Sequence, residues 1–89
     1  MTLNDGRAGR GMIYRIKLPR LGETMEEGTL TTWHKQVGDH VAKGDLLYCI
    51  ETDKTSMDIE SMFVGRLQEI CCPAGQTVPV GTVVAVLVG

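Results

Sequence analysis

The sequence predicts an all-β domain, a flattened β-sandwich or barrel made of two equivalent β units related by an approximate two-fold axis. Three observations carry this. Short apolar alternations recur between glycine-bearing turns, and no segment keeps a helical period over ten or more residues. Eleven glycines accompany one Trp, two Tyr and one Phe, so the core has to come from Val, Leu, Ile and Met on strands joined by tight turns. Third, the chain matches itself without gaps at an offset of 37 residues. At 89 residues it is one small domain, with little room for a catalytic cleft and the shell that would support it.

Residues 1–12, MTLNDGRAGRGM, hold three glycines and no apolar periodicity and read as a flexible N-terminal extension, leaving 13–88 as the domain. Alternations then run over 13–18, 29–33, 46–51, 57–61, 67–71 and 83–88. In the repeat, residues 27–50 lie over 64–87 and match Gly28 with Gly65, Leu30 with Leu67, Gly38 with Gly75, Val41 with Val78 and Gly44 with Gly81. Trp33 with Ile70, Leu46 with Val83, Leu47 with Val84, Cys49 with Val86 and Ile50 with Leu87 keep apolar character. The matched glycines say that the same turns recur. The apolar matches between them say that the same strands recur. Trp33, opposite Ile70, is expected in the core.

Between the two matched windows lies ETDKTSMDIESMF, and its equivalent after the second window would fall past Gly89. A two-fold axis therefore sets this junction at the end of the domain opposite the C-terminus. With 53 and 54 as central turn residues, Thr52 pairs with Thr55, Glu51 with Ser56, Ile50 with Met57 and Tyr48 with Ile59. That register puts apolar on apolar on one face and polar on polar on the other. Asp53 and Lys54 then occupy the tip of a protruding hairpin, an accessible amine flanked by Glu51, Asp53, Asp58 and Glu60. A lysine so placed suits covalent modification; it is equally what a solvated turn would carry.

A net charge of −2 gives no basic footprint for nucleic acid or an anionic membrane. No apolar run approaches a membrane span, and the N-terminus lacks the apolar stretch of a secretory signal. Cys49, Cys71 and Cys72 are odd in number with two adjacent, which disfavours a disulfide framework and fits a reducing compartment. With His34 and His40 they show no metal-ligand spacing, so strand or core packing is expected for them; Cys71 or Cys72 as a nucleophile would need a positioned base, and both follow a strand on the side opposite the hairpin. Glu23, Glu26 and Glu27 fall in a loop that the first half inserts relative to the second, and are candidates for partner choice or plain solvation.

Three segments, LPRLGETMEEG (18–28), VGDHVAKGD (37–45) and IETDKTSMDIES (50–61), resemble the lipoyl domain of dihydrolipoamide acyltransferases, the E2 components of 2-oxo acid dehydrogenase complexes. The similarity covers nearly all of 13–88. It implies a barrel-sandwich hybrid of two four-stranded sheets, with the first segment as strand and surface loop, the second as turn and short strand, and the third as lipoylation hairpin. It implies lipoic acid in amide linkage to Lys54, with Glu51, Asp53 and Thr55 in the surface read by the lipoylating enzyme. Thr55-Ser56 stands where Ala-Val is more usual, and Met62 and Val64 stand where Pro and Ala are common. These departures leave the lysine intact and bear only on subfamily.

By the same resemblance the domain is not an enzyme but a swinging-arm carrier. Acyl groups would be taken up at the thiamine-diphosphate-dependent E1 component and passed to coenzyme A at the E2 catalytic core, with reoxidation at the flavin-dependent E3 component. The isolated domain would be monomeric, and would work in the cytoplasm of a bacterium or the mitochondrial matrix of a eukaryote. Biotinyl domains share the fold but set their lysine between methionines, whereas Lys54 lies between Asp53 and Thr55 with Met57 three residues on. The glycine-cleavage H-protein is longer and lacks the Asp-Lys pair. An unmodified β-sandwich interaction module is the reading from a different class.

Overall fold

The structure is a computed structural model and describes residues 12–89. Eight strands follow in chain order: β1 (Ile13–Lys17), β2 (Glu27–Trp33), β3 (His40–Val41), β4 (Leu46–Glu51), β5 (Ser56–Glu60), β6 (Gly65–Ile70), β7 (Thr77–Pro79) and β8 (Val83–Val88). They form two antiparallel four-stranded sheets, ordered β1-β8-β6-β3 and β5-β4-β2-β7. Exchanging β1 to β4 for β5 to β8 turns one order into the other. The two-fold expected from the repeat is therefore the symmetry of the sheets.

It extends to individual hydrogen bonds. The Gly38 N–H donates to the Leu67 carbonyl at 2.8 Å and the Leu67 N–H to the Asp39 carbonyl at 2.9 Å, while Gly75 donates to Leu30 at 2.6 Å and Leu30 to Gln76 at 2.9 Å. Each half's turn is thus satisfied by a strand of the other half, so neither unit can close its backbone bonds alone. Between the sheets lie Leu18, Leu30, Leu47, Tyr48, Ile50, Leu67, Val84 and Leu87, all fully buried. Trp33 is only half-buried at the core margin: its ring lies 4.9 Å from that of Tyr48, and its indole N–H donates to the Cys72 carbonyl at 2.9 Å. Burial pushes the Tyr48 hydroxyl up to about 12.

The turn glycines Gly38 and Gly75 both have φ of 97°, where a side chain is strained. A Cβ at either would meet nothing within 4 Å, so the cost of alanine there is conformational alone. Gly38→Ala and Gly75→Ala should each lower the unfolding free energy by about 1–2 kcal/mol, and by nearly equal amounts, in chemical denaturation. Unequal losses would show that the two turns are not energetically equivalent.

The halves satisfy the leading N–H of their turns differently. Asp39 accepts from the Gln36 N–H at 2.8 Å and Asp45 from the Ala42 N–H at 2.9 Å, whereas the matching second-half positions, Pro73 and Pro79, have no N–H to satisfy. The Ala42 N–H holds the Asp45 carboxyl below its ordinary value, with desolvation opposing and Lys35, 3.4 Å away, assisting. Because the folded value lies below the unfolded one, this contribution is complete above about pH 4 and is lost as pH falls through the folded value. Asp45→Asn keeps an acceptor but does not titrate, so stability below about pH 4 should fall less steeply in the variant than in the parent; parallel acid limbs would overturn the assignment.

Some boundaries differ from expectation. The edge strands β3 and β7 were not among the apolar alternations, being two and three residues long. Strands β2 and β6 begin two residues earlier than expected, so Glu27 belongs to a strand and not to the loop. Strand β6 ends at Ile70; Cys72 packs in the core and His40 lies in strand β3, but Cys71 and His34 are exposed outside any strand, contrary to the core or strand packing expected of them. The flexible extension expected over 1–12 lies outside the described residues except for Met12, whose carbonyl accepts from Gly89 at 2.8 Å.

Candidate functional site

Strands β4 and β5 pair as Glu51 with Ser56, Ile50 with Met57, Cys49 with Asp58 and Tyr48 with Ile59, the register expected from the sequence. The tip is closed chiefly by Thr52. Its N–H donates to the Thr55 carbonyl at 2.7 Å, and its hydroxyl oxygen accepts from the N–H groups of Lys54 at 3.3 Å and Thr55 at 3.2 Å. A threonine hydroxyl thus stands in for the carbonyl that would ordinarily close the turn, leaving Asp53 and Lys54 at the apex with both side chains exposed. Glu51 and Thr55 are exposed beside them. Among the described residues, no carboxylate lies within ion-pair distance of the Lys54 ammonium.

The hairpin borders a groove of about 770 Å³ on the side of the β1–β2 loop, with Leu21, Met25, Thr29, Glu51 and Thr77 in its walls. Met25 anchors that loop: it is buried, and its sulfur accepts the Leu21 N–H at 3.2 Å. A Cβ on Gly28 would stand 3.2 Å from the Met25 methyl, so the absence of a side chain there lets the loop lie against the sheet. Thr29 and Thr77 share a hydroxyl hydrogen bond of 2.7 Å on the same wall.

Of the four acids around the lysine, Glu51, Asp58 and Glu60 point outward from their sheet, and Asp53 sits at the tip. Asp58 is bonded to His34 at 2.9 Å, a contact the sequence did not announce because it joins β5 to the residue just past the end of β2, a strand not consecutive with it. Thr52 was also missed, although a Thr two and three residues before N–H groups in a short turn is a readable signal. Among the described residues, no set of three His, Cys, Asp or Glu side chains could hold a metal ion.

This symmetric sandwich with one lysine at a hairpin apex agrees with a family sequence model described as "Biotin-requiring enzyme", which matches residues 14–87. The chain belongs to the biotinyl/lipoyl domain family. Its relatives place it with the lipoyl domains. A dihydrolipoyllysine-residue succinyltransferase component of a 2-oxoglutarate dehydrogenase complex from Staphylococcus saprophyticus is 44% identical over 72 residues, 81% of this chain and 17% of that protein. A pyruvate dehydrogenase E1 component subunit beta from Rhizobium meliloti is 44% identical over 77 residues, 85% of this chain and 17% of that protein. The solution structure of the lipoyl domain of the 2-oxoglutarate dehydrogenase complex from Azotobacter vinelandii superposes with a TM-score of 0.70 at 36% identity, covering 84% of this chain and 95% of that one. The chain thus corresponds to a whole lipoyl domain and to under a fifth of those two longer relatives. It is a carrier domain and not a catalyst in its own right.

Proposed function

We propose that Lys54 carries lipoic acid in amide linkage and presents it to the active sites of a 2-oxo acid dehydrogenase complex. The observation that carries this reading is the isolation of Lys54 at the apex of a hairpin whose register is held by strand pairing and by Thr52. An exposed amine fits acylation, since loss of its charge leaves no ion-pair partner stranded among the described residues. When attached, the dithiolane supplies the acyl-carrying and redox chemistry. The chain supplies placement: a stiff base for a flexible arm, and a face that partners recognise. The Asp53-Lys54-Thr55 tip and the named relatives favour lipoate over biotin.

The partners in this reading are the lipoylating enzyme, the E1 component, the E2 catalytic core and the E3 component, in the bacterial cytoplasm or the mitochondrial matrix. Intact and peptide mass spectrometry after incubation with a lipoate ligase and lipoate tests it, with Lys54→Ala as control. A lipoyl increment on the peptide containing Lys54, absent from the control, is the expected result. A biotinyl increment from cells, or no increment under active ligase, would overturn it.

Glu51, Asp53, Asp58 and Glu60 are assigned to partner recognition. Reversing Glu51 and Asp53 to lysine should slow lipoylation or reductive acylation about tenfold, mainly through the association rate, with an unchanged thermal midpoint. Unaltered rates would reduce the acidic hairpin to a solubilising feature.

A further inference from the structure

The groove beside the hairpin has a counterpart of nearly equal size, about 760 Å³, at the end of the domain where the first and last described residues meet. There the Gly89 N–H donates to the Met12 carbonyl at 2.8 Å, as the Thr52 N–H donates to Thr55 at 2.7 Å in the hairpin. The repeat offset of 37 residues carries the lining of one groove onto the other, but the chemistry changes at every polar position. Glu26, Glu27 and Glu51 give way to Phe63, Val64 and Val88. Thr29 and Thr77 give way to Arg66 and His40, register partners in β6 and β3. Among the described residues, no carboxylate lines this second groove.

Its apolar surface is held out toward solvent. Among the described residues eight large apolar side chains are exposed, and five of them, Met12, Ile13, Met62, Phe63 and Val64, lie at this end. Met25, buried in the first groove, matches Met62, which is 75% exposed in the second. The segment is nevertheless fixed. Phe63 stacks on Tyr14 with ring centroids 4.4 Å apart, and the buried Ser61 hydroxyl donates to the Phe63 carbonyl at 2.7 Å and accepts the Phe63 N–H at 3.1 Å. A surface already ordered loses little freedom when something covers it.

We infer that this second groove docks an apolar peptide segment bearing carboxylates, contributed by another protein. The clustered exposed side chains call for an apolar occupant. Charge complementarity calls for an acidic one: Arg66 brings a permanent charge and a fork that fits a carboxylate, His40 adds a ring N–H donor, and no carboxylate in the groove competes for them. Residues 1–11 of the chain itself do not have this chemistry, since they set Arg7 and Arg10 against Asp5 alone and offer only Met1 and Leu3 as large apolar groups. The two grooves share no lining residue, so a segment seated in the second leaves Lys54 uncovered. Such a contact can hold the domain in place while its hairpin is in use.

Titration of the isotope-labelled chain with the peptide acetyl-Glu-Leu-Phe-Glu-amide, followed by amide chemical shifts, tests the inference. Two control peptides carry lysine in place of glutamate, or serine in place of leucine and phenylalanine. The expected result is saturable shifts at residues 62–66, His40 and Val88, with a dissociation constant of about 1 mM and about fivefold weaker binding of either control. Arg66→Glu/His40→Glu should reverse the order of the acidic and basic peptides. Met62→Ser/Val64→Ser should weaken the acidic peptide about fivefold while leaving the Phe63–Tyr14 stack in place. All four positions are exposed, and circular dichroism checks that both variants fold. No saturable shift up to about 10 mM peptide would overturn the inference. So would equal responses to all three peptides, shifts centred on the hairpin groove, or shifts at 62–66 that grow with the concentration of the chain alone, which would make a second copy the occupant.

Discussion

Lys54→Arg is expected to abolish acyl transfer through this domain while leaving its fold unchanged. Arginine keeps the positive charge and nearly the length of lysine, so an electrostatic role for residue 54 would survive the change. Attachment would not, because a guanidinium stays protonated in proteins and offers no amine to acylate. The turn does not depend on the side chain: Thr52 closes it through backbone atoms of residues 54 and 55. Without a tether, free lipoamide must replace a group otherwise held near each active site at about millimolar effective concentration, so turnover should fall about 10³-fold in a complex with no other lipoyl domain. Reductive acylation assays of the variant, beside amide spectra showing an intact fold, make the comparison. Activity within a few-fold of the parent would remove Lys54 from the proposed role.

Much of the fold was legible because the repeat constrains what single strands leave open. A hairpin register can slip, but the junction at 51–55 had to put Ile50 opposite Met57 to keep one face apolar, and it does. The edge strands were not legible as alternation, although the resemblance implied a short strand within 37–45, where β3 lies. His40–Val41 and Thr77–Pro79 are too short to show alternation, and their existence depends on β6 and β2 offering an edge. Cys71 illustrates a second limit: alternation continues past the strand end, and only the turn toward the Val84 carbonyl, which accepts from Cys71 at 2.8 Å, puts its side chain outside. The candidate site divides similarly. An exposed lysine could be read from turn chemistry, whereas the His34–Asp58 bond and the second groove require strands distant in sequence to be placed first.

The second large effect expected is the loss of stability on truncating either central leucine. Leu30 and Leu67 are fully buried and symmetry-related, and the backbone groups of each bond to the turn of the opposite half. Leu30→Ala and Leu67→Ala should each cost about 2–5 kcal/mol, the transfer free energy of the removed atoms plus the cavity left between sheets that cannot collapse. A domain of this size has about 4–12 kcal/mol in total, so either change removes a large share of it. The interlocking bonds bear on how that loss is distributed. If the halves were independent units, Leu67→Ala would melt the second half first, and tryptophan fluorescence from Trp33 in the first half would lag behind far-ultraviolet dichroism. Because Gly38 bonds to Leu67 and Gly75 to Leu30, weakening one half removes partners from the other, and the two signals should fall together in one transition shifted to lower denaturant with an unchanged slope. Separated transitions would show that the symmetric halves fold as two units, and that the hairpin carrying Lys54 draws its rigidity from only one of them.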